Sequence, residues 1–281
     1  MNAADRMPAP PMIPAVVTVN VEVESHDVLL AGGAGLFGRY SYGRYGAREG
    51  VWRLLDAFRD ERVPATFFVD ADDALRHPYL VEAILAAGHE VAQLGPRDIE
   101  EVSDPAVLRE RLGSTRQTLA SVMGVPPKGW RAAAGVMTAE TLPLLAELGF
   151  AYDSSFQDDD HPYLFANPGG TRLAELPTFK YLTDTTFYSV RQPDATVRTA
   201  WFEELRAMYD ERSYLALTVS SRGDIGSGRA LRARIVRDWI HHAAAMPGVN
   251  FLSCRELVEL KARDLTAEPF PFLEEFDGDL P

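Results

Sequence analysis

The densest group of side chains able to move protons is Asn20, Glu22, Glu24, His26 and Asp27. The run before it, residues 16–21, is short and rich in valine, the pattern of a buried strand. Side chains along a strand alternate between two faces, so a strand continuing past Val21 sets Asn20, Glu22 and Glu24 on one side. Two carboxylates on a shared face push their pKa values apart, which supplies one acid and one base. The competing reading is a solvated strand end.

A second acidic group, Asp158, Asp159 and Asp160, runs into His161-Pro162-Tyr163. Adjacent carboxylates repel one another, so this group calls for a cation, an arginine partner such as Arg131, or plain solvent. Lys180 and Tyr181 follow the strand-like Glu175-Leu176-Pro177 and are candidates to line the same mouth. The six histidines, at 26, 77, 89, 161, 241 and 242, contain no pair at i, i+2 or i, i+4, the spacings that converge on a metal. His26 and His161 stand out because carboxylates surround them. Gly33-Ala34-Gly35-Leu36-Phe37-Gly38 has GxGxxG spacing, but Tyr40 to Gly46 reads as an irregular loop where a dinucleotide site needs a helix. No cofactor is expected.

The elements that must position these groups alternate along the chain. Strand-like runs at 16–21, 65–69, 90–94, 129–132, 172–176, 214–219 and 250–253 are separated by helical patterns at 50–62, 78–87, 105–123, 139–148, 197–211 and 230–246. Ser103-Asp104-Pro105 opens one helix, Gly124 and Gly149 close two others, and Leu231, Ile235 and Trp239 form an apolar stripe. About seven strands with six helices between them predict a single (β/α) barrel over residues 15–262. Residues 1–14 form an irregular N-terminal segment, and 263–281 an irregular acidic tail. That tail either wraps over the barrel or meets a second copy through Phe270, Phe272 and Phe276, so a homo-oligomer is one expectation.

Composition narrows the partners. A net charge of -13 repels a phosphate backbone, which argues against nucleic acid. No apolar run approaches the roughly 18–20 residues that span a bilayer, so no membrane association is expected. A lone cysteine, Cys254, rules out an internal disulfide framework and fits a reducing cytoplasm.

Several stretches in order, Gly88-His89-Glu90-Val91-Ala92, Gly129-Trp130-Arg131-Ala132, residues 141–150 and residues 152–163, resemble the polysaccharide deacetylase family with its NodB-homology fold (carbohydrate esterase 4-like). The resemblance covers about residues 16–260, and Asn20-Val21-Glu22 with residues 42–58 is similar to the branch of PuuE-type allantoinases and cyclic-imide hydrolases. It implies a distorted (β/α) barrel with its site at the C-terminal mouth. It also implies two aspartates after the first strand, two metal-binding histidines and a last-strand histidine. Asn20, Glu22, Leu94, Asp98 and Ser220 stand at those positions, with Gly95, Arg97 and Ile99 resembling the allantoinase-like version of the second motif. An amide is no base at neutral pH and leucine ligates nothing. The expectation is therefore a metal-independent hydrolase of an amide or imide C–N bond in a small polar molecule. Glu22 is its base, Arg131 stabilises developing negative charge and Asp98 assists; Asn20, Glu24, His26, Asp158, Asp159, His161, Tyr163, Lys180 and Ser220 meet the substrate. The rivals are a catalytically silent barrel that binds a ligand or partner, and a repurposed lyase, isomerase or cyclase.

Overall fold

The computed structural model of the chain describes residues 12–30, 37–166, 172–261, 265 and 267–269. β1 (Ile13–Val21) sorts the molecule into inside and outside. Its odd positions, Val17, Val19 and Val21, pack into an outer apolar layer, whereas Val16 packs into a separate inner cluster with Phe68, Ala92 and Leu94. This is the period-two alternation of a strand covered on both faces.

β1 pairs in parallel with β2 (Thr66–Asp70) on one side and with β8 (Leu215–Ser220) on the other. Beyond β2 follow β3 (Glu90–Leu94), β4 (Gly129–Arg131), β5 (Tyr152–Asp153), β7 (Arg172–Glu175), β6 (Tyr163–Ala166) and β10 (Ala267–Pro269). β9 (Val249–Phe251) pairs in parallel with the start of β1, and among the described residues only the β6/β7 pair is antiparallel. Among the described residues the ladder stays open between β8 and β10, so the architecture is a distorted (β/α) barrel.

The outer layer is built from α3 (Val51–Glu61), α5 (Pro78–Ala86), α6 (Pro105–Met123), α7 (Thr141–Glu147), α9 (Asp194–Asp210) and α10 (Ala230–Ala244). Asp104 caps α6 by accepting from the Ala106 N–H, with Pro105 opening the first turn. The last helix among the described residues, α11 (Cys254–Lys261), plugs the bottom of the barrel. Its buried Cys254 and Leu257 join the inner cluster, and its first N–H groups donate to Thr66 Oγ1 and Glu90 Oε2. No helix among the described residues is long and apolar enough to cross a membrane.

All seven expected strands are present, and three short ones, β5, β6 and β10, were not foreseen. Two to four residues are too few to show a period. Ile13 and Pro14, expected to be irregular, belong to β1 because they pair with Val249 and Asn250. Within the tail, 267–269 forms β10; Phe270, Phe272 and Phe276 lie outside the described residues. In the apolar stripe of α10, Ile235 and Trp239 are buried but Leu231 is exposed.

The largest correction concerns residues 37–50. In place of an irregular loop they form α2 (Phe37–Tyr45) and a wide turn at Gly46–Gly50, preceded by α1 (Glu24–Leu30). Gly43 packs so closely that an added Cβ would stand 2.3 Å from the Val23 carbonyl oxygen, and its N–H donates to Asp27. Tertiary contact overrides poor local helix propensity here. A helix is therefore present from Phe37, and among the described residues the element before it is α1 rather than a strand. Gly33 to Leu36 lie outside the described residues.

Candidate active site

The inner face of β1 grows more polar toward its C-terminal end: Val16, Thr18, Asn20, then Glu22 just past the strand. Arg131, at the end of β4, reaches across the lumen below that end. Its Nε and Nη2 donate to the Ser154 carbonyl and hydroxyl (2.8 and 2.8 Å), and its Nη1 donates to Thr18 Oγ1 and Asn20 Oδ1 (2.9 and 3.0 Å). The guanidinium lies 4.0 Å from the centre of the Phe68 ring. Burial lowers its pKa. Arg131 is thus a buried brace under Asn20, does not border the mouth cavity, and has no contact with Asp158, Asp159 or Asp160.

Glu22, only 4 % exposed, forms the floor of the mouth. Ser220 Oγ donates to its Oε2 at 3.0 Å, His26 Nδ1 stands 3.4 Å from its Oε1, and Arg97 forms an ion pair with the same oxygen. Burial, together with Arg222 nearby, lowers the Arg97 pKa to about 10. Above this carboxylate opens a cavity of about 340 Å³, whose walls include Glu22, His26, Arg97, Asp98 and Arg111 with Leu94. Asp98 is held by Arg111 in an ion pair. Buried Ser220 also donates its N–H to Asp184 at 2.9 Å, so it supports Glu22 from below the cavity and does not line it.

Other expected members are elsewhere. Because α1 begins at Glu24, that side chain leaves the strand alternation and lies against His77 Nε2 (2.6 Å) and Arg44 (3.4 Å). Asp73 explains the turn: it accepts from the backbone N–H groups of Val23 and Ser25 and from the Ser25 hydroxyl. Asp158, Asp159 and His161 border a separate hollow of about 470 Å³ beside Phe179. There the Tyr163 hydroxyl donates to Asp158 and Asp159 accepts the His161 N–H, a local turn bond. Lys180 and Tyr181 are exposed and border neither hollow. A larger apolar cleft of about 610 Å³, near Trp52, Phe58 and His89, opens at the N-terminal ends of β2 and β3, the end of a barrel that conveys stability rather than chemistry.

Arg111 and His77 were missed because nothing local marks them; Arg97 was visible only through its motif. Zinc needs three or four nitrogen, sulfur or oxygen donors at about 2.0–2.3 Å. Among the described residues no three His, Cys, Asp or Glu groups converge in that way. Glu22 and Asp98 face guanidinium groups, and Asn20 accepts from Arg131. The donors at this mouth do not fit a zinc ion.

Residues 42–152 match the sequence profile of the polysaccharide deacetylase family. A crystal structure from Mycobacterium smegmatis, of a protein provisionally assigned as a polysaccharide deacetylase, superposes with a TM-score of 0.84 and 33% identity, covering 95% of this chain and 97% of that one. The PuuE allantoinase structure shares the fold at a TM-score of 0.79 and 24% identity, covering 94% of this chain and 98% of its own. A Bradyrhizobium chitooligosaccharide deacetylase is 31% identical over 122 residues, which are 43% of this chain and 54% of that protein. A Schizosaccharomyces pombe relative is matched over 41% of its length, so this chain spans about half or less of these two curated relatives. With the near-complete superposition on a third-identical barrel, and with the matching profile over the segment that carries β2, β3 and β4, the chain belongs to the polysaccharide deacetylase family.

Proposed function

We propose that this chain hydrolyses an amide-type or imide-type C–N bond in a small polar molecule without using a metal ion. One observation carries the reading: Glu22 is a nearly buried carboxylate facing a cavity, with His26 and a cation, Arg97, beside one of its oxygens. A carboxylate so placed accepts a proton from water once its cation is drawn away. A substrate carbonyl oxygen does that by competing for Arg97, which then compensates the negative charge that grows on that oxygen as water adds. His26, 3.4 Å from Glu22, is positioned to pass the proton to the departing nitrogen. Arg97 therefore takes the charge-stabilising role first expected of Arg131, which lies too deep to touch a substrate in this cavity. A volume of about 340 Å³ is at the small end of ligand pockets, in keeping with a compact substrate.

The test is hydrolysis by purified protein of cyclic imides, allantoin and N-acetylated sugars, with and without a chelator. Turnover of an imide or ureide that survives the chelator and drops at least about 100-fold in Glu22→Gln is expected. Chelator-sensitive N-deacetylation of a sugar as the sole activity would overturn the reading, as would a Glu22→Gln variant with full activity.

A further inference from the structure

We infer that Asp70 is a substrate-binding residue whose free carboxyl oxygen donates a hydrogen bond to a second carbonyl oxygen of the substrate, so that the mouth selects imides over simple amides. This rests on the C–N hydrolysis reading above. Asp70 closes β2 and borders the same cavity as Glu22, His26 and Arg97. The last pair of the β1/β2 ladder is Val21 with Val69, so Glu22 and Asp70 each come one residue after it on neighbouring strands. Phe68 packs into the inner cluster, and period-two alternation sets Asp70 on that same inward side. α4 (Ala71–Arg76) starts directly after Asp70. It is fastened to the chain just past Glu22, because Asp73 accepts from the Val23 and Ser25 N–H groups at 2.8 and 3.0 Å.

The two oxygens of Asp70 have different tasks. Oδ1 caps α4 by accepting from the N–H groups of Asp72 and Asp73, at 2.9 and 3.1 Å. Among the described residues Oδ2 has no hydrogen-bond partner, yet it is not shut away from solvent, and the space beside it is the mouth cavity. Burial and the nearby carboxylates of Asp73 and Asp72 push the carboxyl up to about 7, against the pull of the two capping N–H groups. The other charges around the cavity are spent or distant. Arg97 and Arg111 are paired with Glu22 and Asp98, His26 stands beside Glu22, and Arg76 is exposed at the far end of α4. A proton held by Asp70 sits on Oδ2, since Oδ1 already faces two donors. A carboxylic acid kept neutral in this way is a hydrogen-bond donor, and its match is a carbonyl oxygen rather than an N–H. Arg97 takes the carbonyl that water attacks. A simple amide has no second carbonyl for Asp70, whereas an imide carries one across its nitrogen.

The experiment measures binding, so it does not depend on turnover. Succinimide, with two ring carbonyls, and 2-pyrrolidinone, with one, are titrated into the full chain at several pH values between about 6 and 8.5 and followed by protein NMR shifts. Wild type is compared with Asp70→Asn and Asp70→Ser. Both replacements cap a helix, so α4 is kept; asparagine also retains a donor and cannot ionise, whereas serine has only the oxygen that caps. Succinimide binding to wild type should weaken at least about tenfold over this range, as Asp70 loses its proton through about 7. In Asp70→Asn the weakening should stay below about threefold; any titration of His26 is common to both proteins and cancels. At the acid end wild type should prefer succinimide to 2-pyrrolidinone by about tenfold, and Asp70→Ser should lose most of that preference. Parallel pH profiles in wild type and Asp70→Asn, an Asp70→Ser variant that keeps the preference, or succinimide that fails to bind wild type overturns the inference and leaves Asp70 a helix cap. If succinimide binds as expected and no C–N compound is turned over, the hydrolase reading fails by itself while the role of Asp70 in binding stands.

Discussion

Removing the positive charge of Arg222 should unfasten the helices that cover the barrel mouth. Arg222 and Asp27 are each 1% exposed and meet through two bonds, Nη1 to Oδ2 at 3.2 Å and Nη2 to Oδ1 at 3.1 Å. Arg222 also grips Asp224, whose carboxyl it holds below its usual range, while Asp27 Oδ2 accepts the Gly43 N–H of α2. One guanidinium thus ties α1 and α2 to the loop after β8. Arg222→Met removes one partner of a buried ion pair together with both of its bonds to Asp27, a change that costs about 3–5 kcal/mol. At this chain length each kcal/mol moves Tm by about 2 °C, so the drop should be roughly 6–10 °C. The assay is urea unfolding followed by circular dichroism, with wild type, Arg222→Met, Asp27→Asn and the double variant closing a cycle. The double variant should recover part of the loss, because neutralising both members of a buried pair costs less than removing one. A loss under about 1 kcal/mol that shrinks further in salt is the behaviour of an exposed pair and would refute the reasoning.

Two further outcomes follow from the same region. Asp184 is fully buried, and burial pushes its carboxyl up to about 7 against the opposing pull of the Ser220 N–H. Because the folded value lies above the unfolded one, near 3.9, its contribution is complete at low pH and is lost as pH rises toward about 7. Asp184→Asn should therefore gain stability over wild type at pH 8 relative to pH 5, measured by urea midpoints; parallel pH profiles would count against it. Gly50→Ala should destabilise by about 1–3 kcal/mol and also impair any turnover found, since its Cβ would stand 1.9 Å from the Ser221 carbonyl oxygen beside Ser220 and Glu22. Gly38→Ala, which meets nothing within 4 Å, is the control and should be neutral or slightly stabilising in denaturant melts.

The alternation of β1 was readable from Val16 to Glu22, and with it the inward column that ends at Asn20 and Glu22. Glu90 was readable only as part of a motif; in the fold it bonds Thr66, Tyr152 and α11 at the closed end of the barrel, so its place is structural. Glu24 was misplaced because a two-residue extrapolation of strand geometry ignored Asp73, far along the chain, which bends the backbone into α1.

Periodicity, caps and glycine breaks are encoded in neighbouring residues, and for that reason the strand order of types, the helix boundaries and the polarity of the lumen could be inferred from the sequence alone. Which groups surround Glu22 could not. Ser220 is 198 positions away from it, Arg97 comes from the loop after β3, and His26 reaches it only because α1 turns back over the mouth. Arg131 shows the same division: its presence was evident in a motif, but its depth in the lumen, and its bond to Asn20, depend on how strands far apart in the chain curl around one interior. Such meetings are set by sheet curvature and loop packing, which no local pattern carries.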